Sequence, residues 1–111
     1  MSLKIIFVHD QGDHEMEHVL LKAKSDCAIA QFLLADGRHS EETQVANRVR
    51  NAYWFPETEI KAGEYVSVWT KSGKNSTGEM IDGTTIHRFY WNLPSSLWNA
   101  AGDCALLFKL Q

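Results

Sequence analysis

Residues 14–18 read His-Glu-Met-Glu-His. That spacing satisfies H-E-x-x-H, in which two imidazoles hold one zinc ion and the first glutamate acts as base toward the metal-bound water. The chemistry depends on the backbone beneath it. On a helix His14 and His18 would be neighbours on one face, about 6 Å apart. On a strand they would lie about 13 Å apart, too far to share a tetrahedral ion. A small zinc hydrolase with His14 and His18 as ligands and Glu15 as base therefore requires a helix at 14–18. The charge of Glu17 between the ligands counts against it. No third ligand follows at an evident spacing, although His39 or a later carboxylate could supply one. His9, Asp10, Asp13, His14, Glu15, Glu17 and His18 place seven ionisable groups in ten residues. Such a segment could gather oxygens and imidazoles round a non-catalytic metal. The simpler expectation is a solvated hairpin turn held by side-chain-to-backbone hydrogen bonds.

The other reactive side chains form no second constellation. There is no Ser–His–Asp order, no CxxC pair and no phosphate loop. Asp103 after Gly102 is expected to cap a turn rather than act as an acid. Cys27 and Cys104 lack metal spacing and are expected as free, partly buried thiols, a single disulfide being the alternative. No enzymatic activity and no cofactor is expected on these grounds. Binding residues are easier to find. Trp54, Trp69 and Tyr90 fall out of phase with their buried-looking neighbours and could form an exposed aromatic face, suited to a protein partner or a sugar ring. Packing beneath long loops is the alternative. Arg38, Arg48, Arg50, Lys71 and Lys74 lie in or beside the segments 37–47 and 71–84, read as the two longest loops. Gathered at one end they would make a basic patch; scattered, they serve solubility.

The elements that must position these residues read as short strands. Leu3–His9 is β-branched and aromatic and ends at "DQGD". Residues 16–24 fit either period: Met16, Val19, Leu20 and Ala23 a helix, Val19, Leu21 and Ala23 a strand. "IAQFLLAD" ends on Asp36-Gly37, a turn signal. From Thr43 to Phe55, Val45, Val49, Tyr53 and Phe55 alternate with Arg48, Arg50 and Trp54, until Pro56 stops the run. "EYVSVWT" at 64–70 is the clearest strand, with Val66 and Val68 on one face. "KSGKNSTGEMIDG" reads as a polar loop, and it carries a glycosylation sequon at Asn75-Ser76-Thr77 that matters only in a secreted chain. "TTIHRFYW" is a further strand, and an apolar strand follows Gly102-Asp103. Six or seven short strands without a long helix predict an all-β sandwich. With 111 residues, 44% hydrophobic and 23% charged, the chain predicts one domain spanning 1–111 with a real core. Its net charge of −3 does not favour nucleic acid as a partner. No stretch reads as a membrane span or signal peptide, so no membrane partner and a cytoplasmic setting are expected.

Four pieces in order resemble the lamin-tail domain. Gly12-Asp13 leading to Glu17-His18-Val19-Leu20-Leu21 is similar to that family's "G-D … E-Y/W-V-x-L" strand. Ile29, Phe32, Leu34 and Asp36 fall on its "L-x-G-W-x-L-x-D", with Gln31 where glycine is usual and Phe32 where tryptophan is usual. "FPETEIKAGEYVSVWT" resembles its "F-P … L-x-x-G-E-Y-V-x-V" run, and "LWNAAGDCALLF" its "W-N-x-x-G-D-x-x-x-L" hairpin. The resemblance covers about residues 5–110. It implies an immunoglobulin-like β-sandwich and a strand at Glu17–Ala23, which would separate His14 from His18. It also implies a non-enzymatic module associating with protein, chromatin or a surface. An immunity or inhibitor protein for a toxin or nuclease is the alternative binding reading for a small acidic chain.

Overall fold

The computed structural model describes residues 1–38, 51–98 and 103–110. In chain order the strands are β1 (Leu3–His9), β2 (His18–Ala23), β3 (Cys27–Ala28), β4 (Phe32–Arg38) and β5 (Ala52–Trp54). Then come β6 (Glu59–Ile60), β7 (Tyr65–Trp69), β8 (Ser76–Glu79), β9 (Thr85–Tyr90) and β10 (Asp103–Lys109). A 3₁₀ turn at Ile29–Gln31 joins β3 to β4. The strands pair as a five-stranded sheet, β1-β2-β7-β9-β8, a three-stranded sheet, β10-β4-β5, and a two-stranded ribbon, β3-β6. The fold is all-β and sandwich-like.

Residues 16–24, which fit two periods, become strand β2 because both of its edges are paired, by β1 and by β7. Val19, Leu21 and Ala23 then face inward. They share a core with Leu3 of β1, Val66 and Val68 of β7, Phe89 of β9, and Phe32 and Leu34 of β4. Both larger sheets thus contribute to one interior, where full burial of each Val or Leu stabilises by roughly 1.5–3 kcal/mol. Phe32, standing where the resembled pattern has tryptophan, is fully buried in it.

Three expectations need correcting. β4 runs through Asp36-Gly37 to Arg38 rather than turning there, because Gly37 pairs with Cys104 of β10. That glycine serves close packing: a Cβ on it would stand 2.6 Å from the Leu106 side chain. Residues 71–84 are not one loop. Four of them form β8, an exposed edge strand that reads as loop since its outer position requires no apolar side chains. The described strands also number ten rather than six or seven, three of them only two or three residues long. Chain direction explains the arch this creates. β8 is antiparallel to β9 and β9 is parallel to β7, so residues 70–75 must cross over the end of β9 to reach the sheet edge.

Candidate functional site

The H-E-x-x-H segment is turn followed by strand. Residues 14–16 lie in a turn and His18 opens β2. Asp10 at φ 52° and Gly12 at φ 88° reverse the chain. The Met16 and Glu17 N–H groups then donate to the Asp13 carbonyl at 3.0 and 2.6 Å, and the Glu15 N–H donates to Asp13 Oδ1 at 3.2 Å. The expected hairpin turn with local side-chain bonds forms, but it is not solvated throughout, because the Glu17 side chain is buried. The two imidazoles take different partners. His14 Nε2–H donates to the Leu93 carbonyl at 2.7 Å. His18 Nδ1–H donates to the Met16 carbonyl at 2.8 Å, and its ring stacks on Trp69 at 4.0 Å. Burial pushes the His18 imidazole below its ordinary value of 6.5, against the Met16 hydrogen bond, which raises it. The helix that a zinc hydrolase would need at 14–18 is therefore not formed. Among the described residues no three or more His, Cys, Asp or Glu side chains are grouped to hold a metal.

The residue of this motif with the most structural consequence is Glu17. Its side chain is fully buried. Oε1 accepts the Gly12 N–H at 2.9 Å and the Trp98 N–H at 3.1 Å; Oε2 accepts the Thr70 hydroxyl at 2.6 Å and the Leu97 N–H at 2.8 Å. A carboxylate offers about four acceptor sites, and here four donors occupy them, one from the same turn and three from two distant segments. Period 2 foreshadows this, because Glu17 is in phase with Val19, Leu21 and Ala23.

A cleft of about 650 Å³ opens where the arch, β5 and the end of β9 converge. Trp54 and Tyr90, both expected as binding residues, line it together. Trp54 is 65% exposed, yet its indole is held by a hydrogen bond from Nε1–H to the Ala30 carbonyl at 2.9 Å. Tyr90 lies under the arch. A Cβ on Gly73 would meet its ring at 2.4 Å, so only glycine permits that approach. Asn75 Oδ1 accepts the Tyr90 N–H at 3.0 Å, and Asn92 Oδ1 accepts the Gly73 N–H at 3.0 Å. These amides tie arch to strand. Behind the cleft, Trp91 and Tyr53 tilt together at 5.5 Å, and Trp91 meets Trp98 edge-on at 6.0 Å. Burial raises the Tyr53 phenol, opposed by the Asn75 side chain. Lys74, Asn75 and Asn92 are the polar side chains of the lining, with the two tyrosine hydroxyls.

Trp69 lies outside the lining but supports it. On the outer face of the larger sheet the rings of His9, His18, Trp69 and Tyr90 stack in sequence at 4.8, 4.0 and 6.3 Å. They are cross-strand neighbours in β1, β2, β7 and β9, a geometry in which each aromatic pair adds a fraction of a kcal/mol to about 1 kcal/mol. Lys71 Nζ lies 5.2 Å from the centre of the Trp69 ring. The expected aromatic face thus divides into this ladder and the cleft, with Tyr90 in both. Of the expected basic patch, Lys74 enters the cleft. Arg48 and Arg50 lie outside the described residues, as does the Arg38 side chain. Sequence reasoning missed Tyr53, Asn75, Trp91 and Asn92 as lining residues. Only a positive φ at Asn92, 62°, marks that bend, and no sequence signal identifies the four as neighbours. No model of a known protein family matches the chain, and no curated protein matches its sequence.

Proposed function

We propose that this chain is a non-enzymatic binding module, an immunoglobulin-like sandwich of lamin-tail type that engages a protein partner through the aromatic cleft. The observation that carries the reading is the convergence of Trp54 and Tyr90, from different sheets, on one cleft with polar groups at its rim. Concave sites rich in aromatic side chains with a few placed polar groups are where ligands are held. The order of the four motif pieces supports the family assignment. Cys27 and Cys104 are both free, and burial raises both thiols above their ordinary value. Inert thiols of this kind suit a reducing, cytoplasmic setting. An immunity or inhibitor role is the alternative, for which the net charge of −3 suits a basic partner.

The test is capture from a lysate by immobilised protein, with wild type and Trp54→Ala run side by side and bound proteins identified by mass spectrometry. A partner retained by wild type and lost from the variant is the expected result. Identical capture by both would remove the cleft from the function.

A further inference from the structure

The cleft has more hydrogen-bond donors to spare than acceptors, and the imbalance points to a ligand class. Both amide oxygens already accept a backbone N–H, from Tyr90 and from Gly73. Among the described residues no carboxylate lines the cleft. Three tryptophans use their indole N–H within the protein, on the Ala30 carbonyl, Ser67 Oγ and the Cys104 carbonyl. Trp91 lines the cleft, is half-buried, and its Nε1–H meets no acceptor among the described residues. Lys74 is exposed and brings three further donors with a positive charge. It has no ion-pair partner among the described residues.

A complementary ligand has flat apolar faces, many acceptors and few donors. A polyproline-II segment meets those terms. Proline lacks an N–H but keeps its carbonyl, the extended helix makes no internal hydrogen bonds, and its rings fit between aromatic side chains. A saccharide fits less well, since it brings a proton with every hydroxyl and the acceptors of the described lining are few: the two tyrosine hydroxyl oxygens and the second lone pair of each amide oxygen. A nucleic-acid strand requires cations along its phosphates, and Lys74 is the single cation of the lining among the described residues.

Resting on the binding reading above, we propose that the cleft holds a proline-rich peptide segment in the polyproline-II conformation, with an acidic residue of the peptide against Lys74. Trp54 and Tyr90 flank the proline rings, and Trp91 Nε1–H donates to a peptide carbonyl. The Ala30 hydrogen bond holds Trp54 in place beforehand, which lowers the ordering cost of binding.

The test is fluorescence anisotropy of a dye-labelled peptide of repeated Pro-Pro-Glu units titrated with the intact chain. Expected is saturable binding, abolished by Trp54→Ala and weakened about tenfold by Trp91→Phe, which keeps an aromatic ring, though a smaller one, and removes the N–H. Lys74→Glu should transfer preference to Pro-Pro-Lys repeats. Should a tryptophan variant fail to fold, this exchange at an exposed side chain still decides. Absence of saturable binding, or binding indifferent to Trp54 and to the charge at position 74, overturns the proposal. Trp54-dependent binding of neutral oligosaccharides in place of the peptide overturns it while leaving a binding cleft intact. Lysate capture indifferent to Trp54 overturns both readings.

Discussion

The Glu17 carboxylate and the aromatic cleft are both built from segments far apart in sequence, and both gather polar groups. Around Glu17 four donors meet four acceptor sites and water is excluded. In the cleft each amide oxygen accepts an N–H, while an indole N–H and an ammonium have no partner among the described residues. Buried polar groups left without partners are costly, so the first arrangement holds the fold together. The second tolerates its unused donors because water reaches them, and a ligand can replace that water. Chemical reactivity of residue types does not distinguish the two regions; hydrogen-bond completeness and burial do.

Glu17→Ala should give the largest effect, since it leaves four donors without their acceptor, those of Thr70 and Trp98 fully buried. A loss of roughly 3–5 kcal/mol in urea unfolding is expected. Glu17→Gln should recover little of it, because its amide NH₂ would face two of those donors. A loss below about 1 kcal/mol would erase the contrast with the cleft.

Next in size, Val66→Ala or Val68→Ala should each cost roughly 1–3 kcal/mol, as both side chains are fully buried. Trp54→Ala should cost less than about 1 kcal/mol, because the ring is exposed and one hydrogen bond is lost. Melting curves for the three, set beside partner capture, sharpen the comparison. The valines should move stability, and Trp54 should move binding. A melting loss for Trp54→Ala as large as that of the valines would make it a packing residue.

Smaller still is the dependence on pH, and its sign follows from two shifts. His18 is pushed below 6.5 in the folded chain by burial. The unfolded chain therefore binds the proton first, and stability falls as pH drops from 6.5 toward the lowered folded value. Glu64 is held below its ordinary 4.5, first by the Lys61 N–H and then, against burial, by His87. Its contribution is present above 4.5 and is lost as pH falls through the folded value. Thermal melts should thus decline in two acid steps, and His18→Phe should remove the upper one while leaving the lower. An upper step that survives the substitution assigns it to another group. Smallest of all, Glu15→Gln should be silent, since the side chain is 74% exposed and its one contact is His14 at 3.3 Å. A measurable change in melting or capture would give the exposed end of the turn a role it lacks here.

How far the site could be read in advance varied by residue. Trp54 and Tyr90 were legible because alternation set them out of phase with Phe55 and Phe89, both buried. Trp91 was not, since it follows Tyr90 on the opposite face and packs partly into the core. Its open N–H becomes visible only when every other indole is paired. Asn75 and Asn92 looked like ordinary turn residues. Their task arises from the arch over β9, which depends on a strand exchange that local pattern does not record.

By itself the sequence determined the all-β class, the strands read at 3–9, 64–70 and 84–91, and the inward pair Val66 and Val68. Side-chain period along a strand is a local property, enforced wherever one face is buried. Tertiary structure decided whether 14–18 would be helix or turn, whether Asp36-Gly37 would bend, and that β9 would sit between β7 and β8. Each of these depends on partners that satisfy the backbone from elsewhere in the chain. Glu17 shows both halves. It reads as part of a solvated turn, though in a strand it is in phase with Val19 and Leu21, and the arrival of Gly12, Thr70, Leu97 and Trp98 with their four donors made a buried carboxylate stable there.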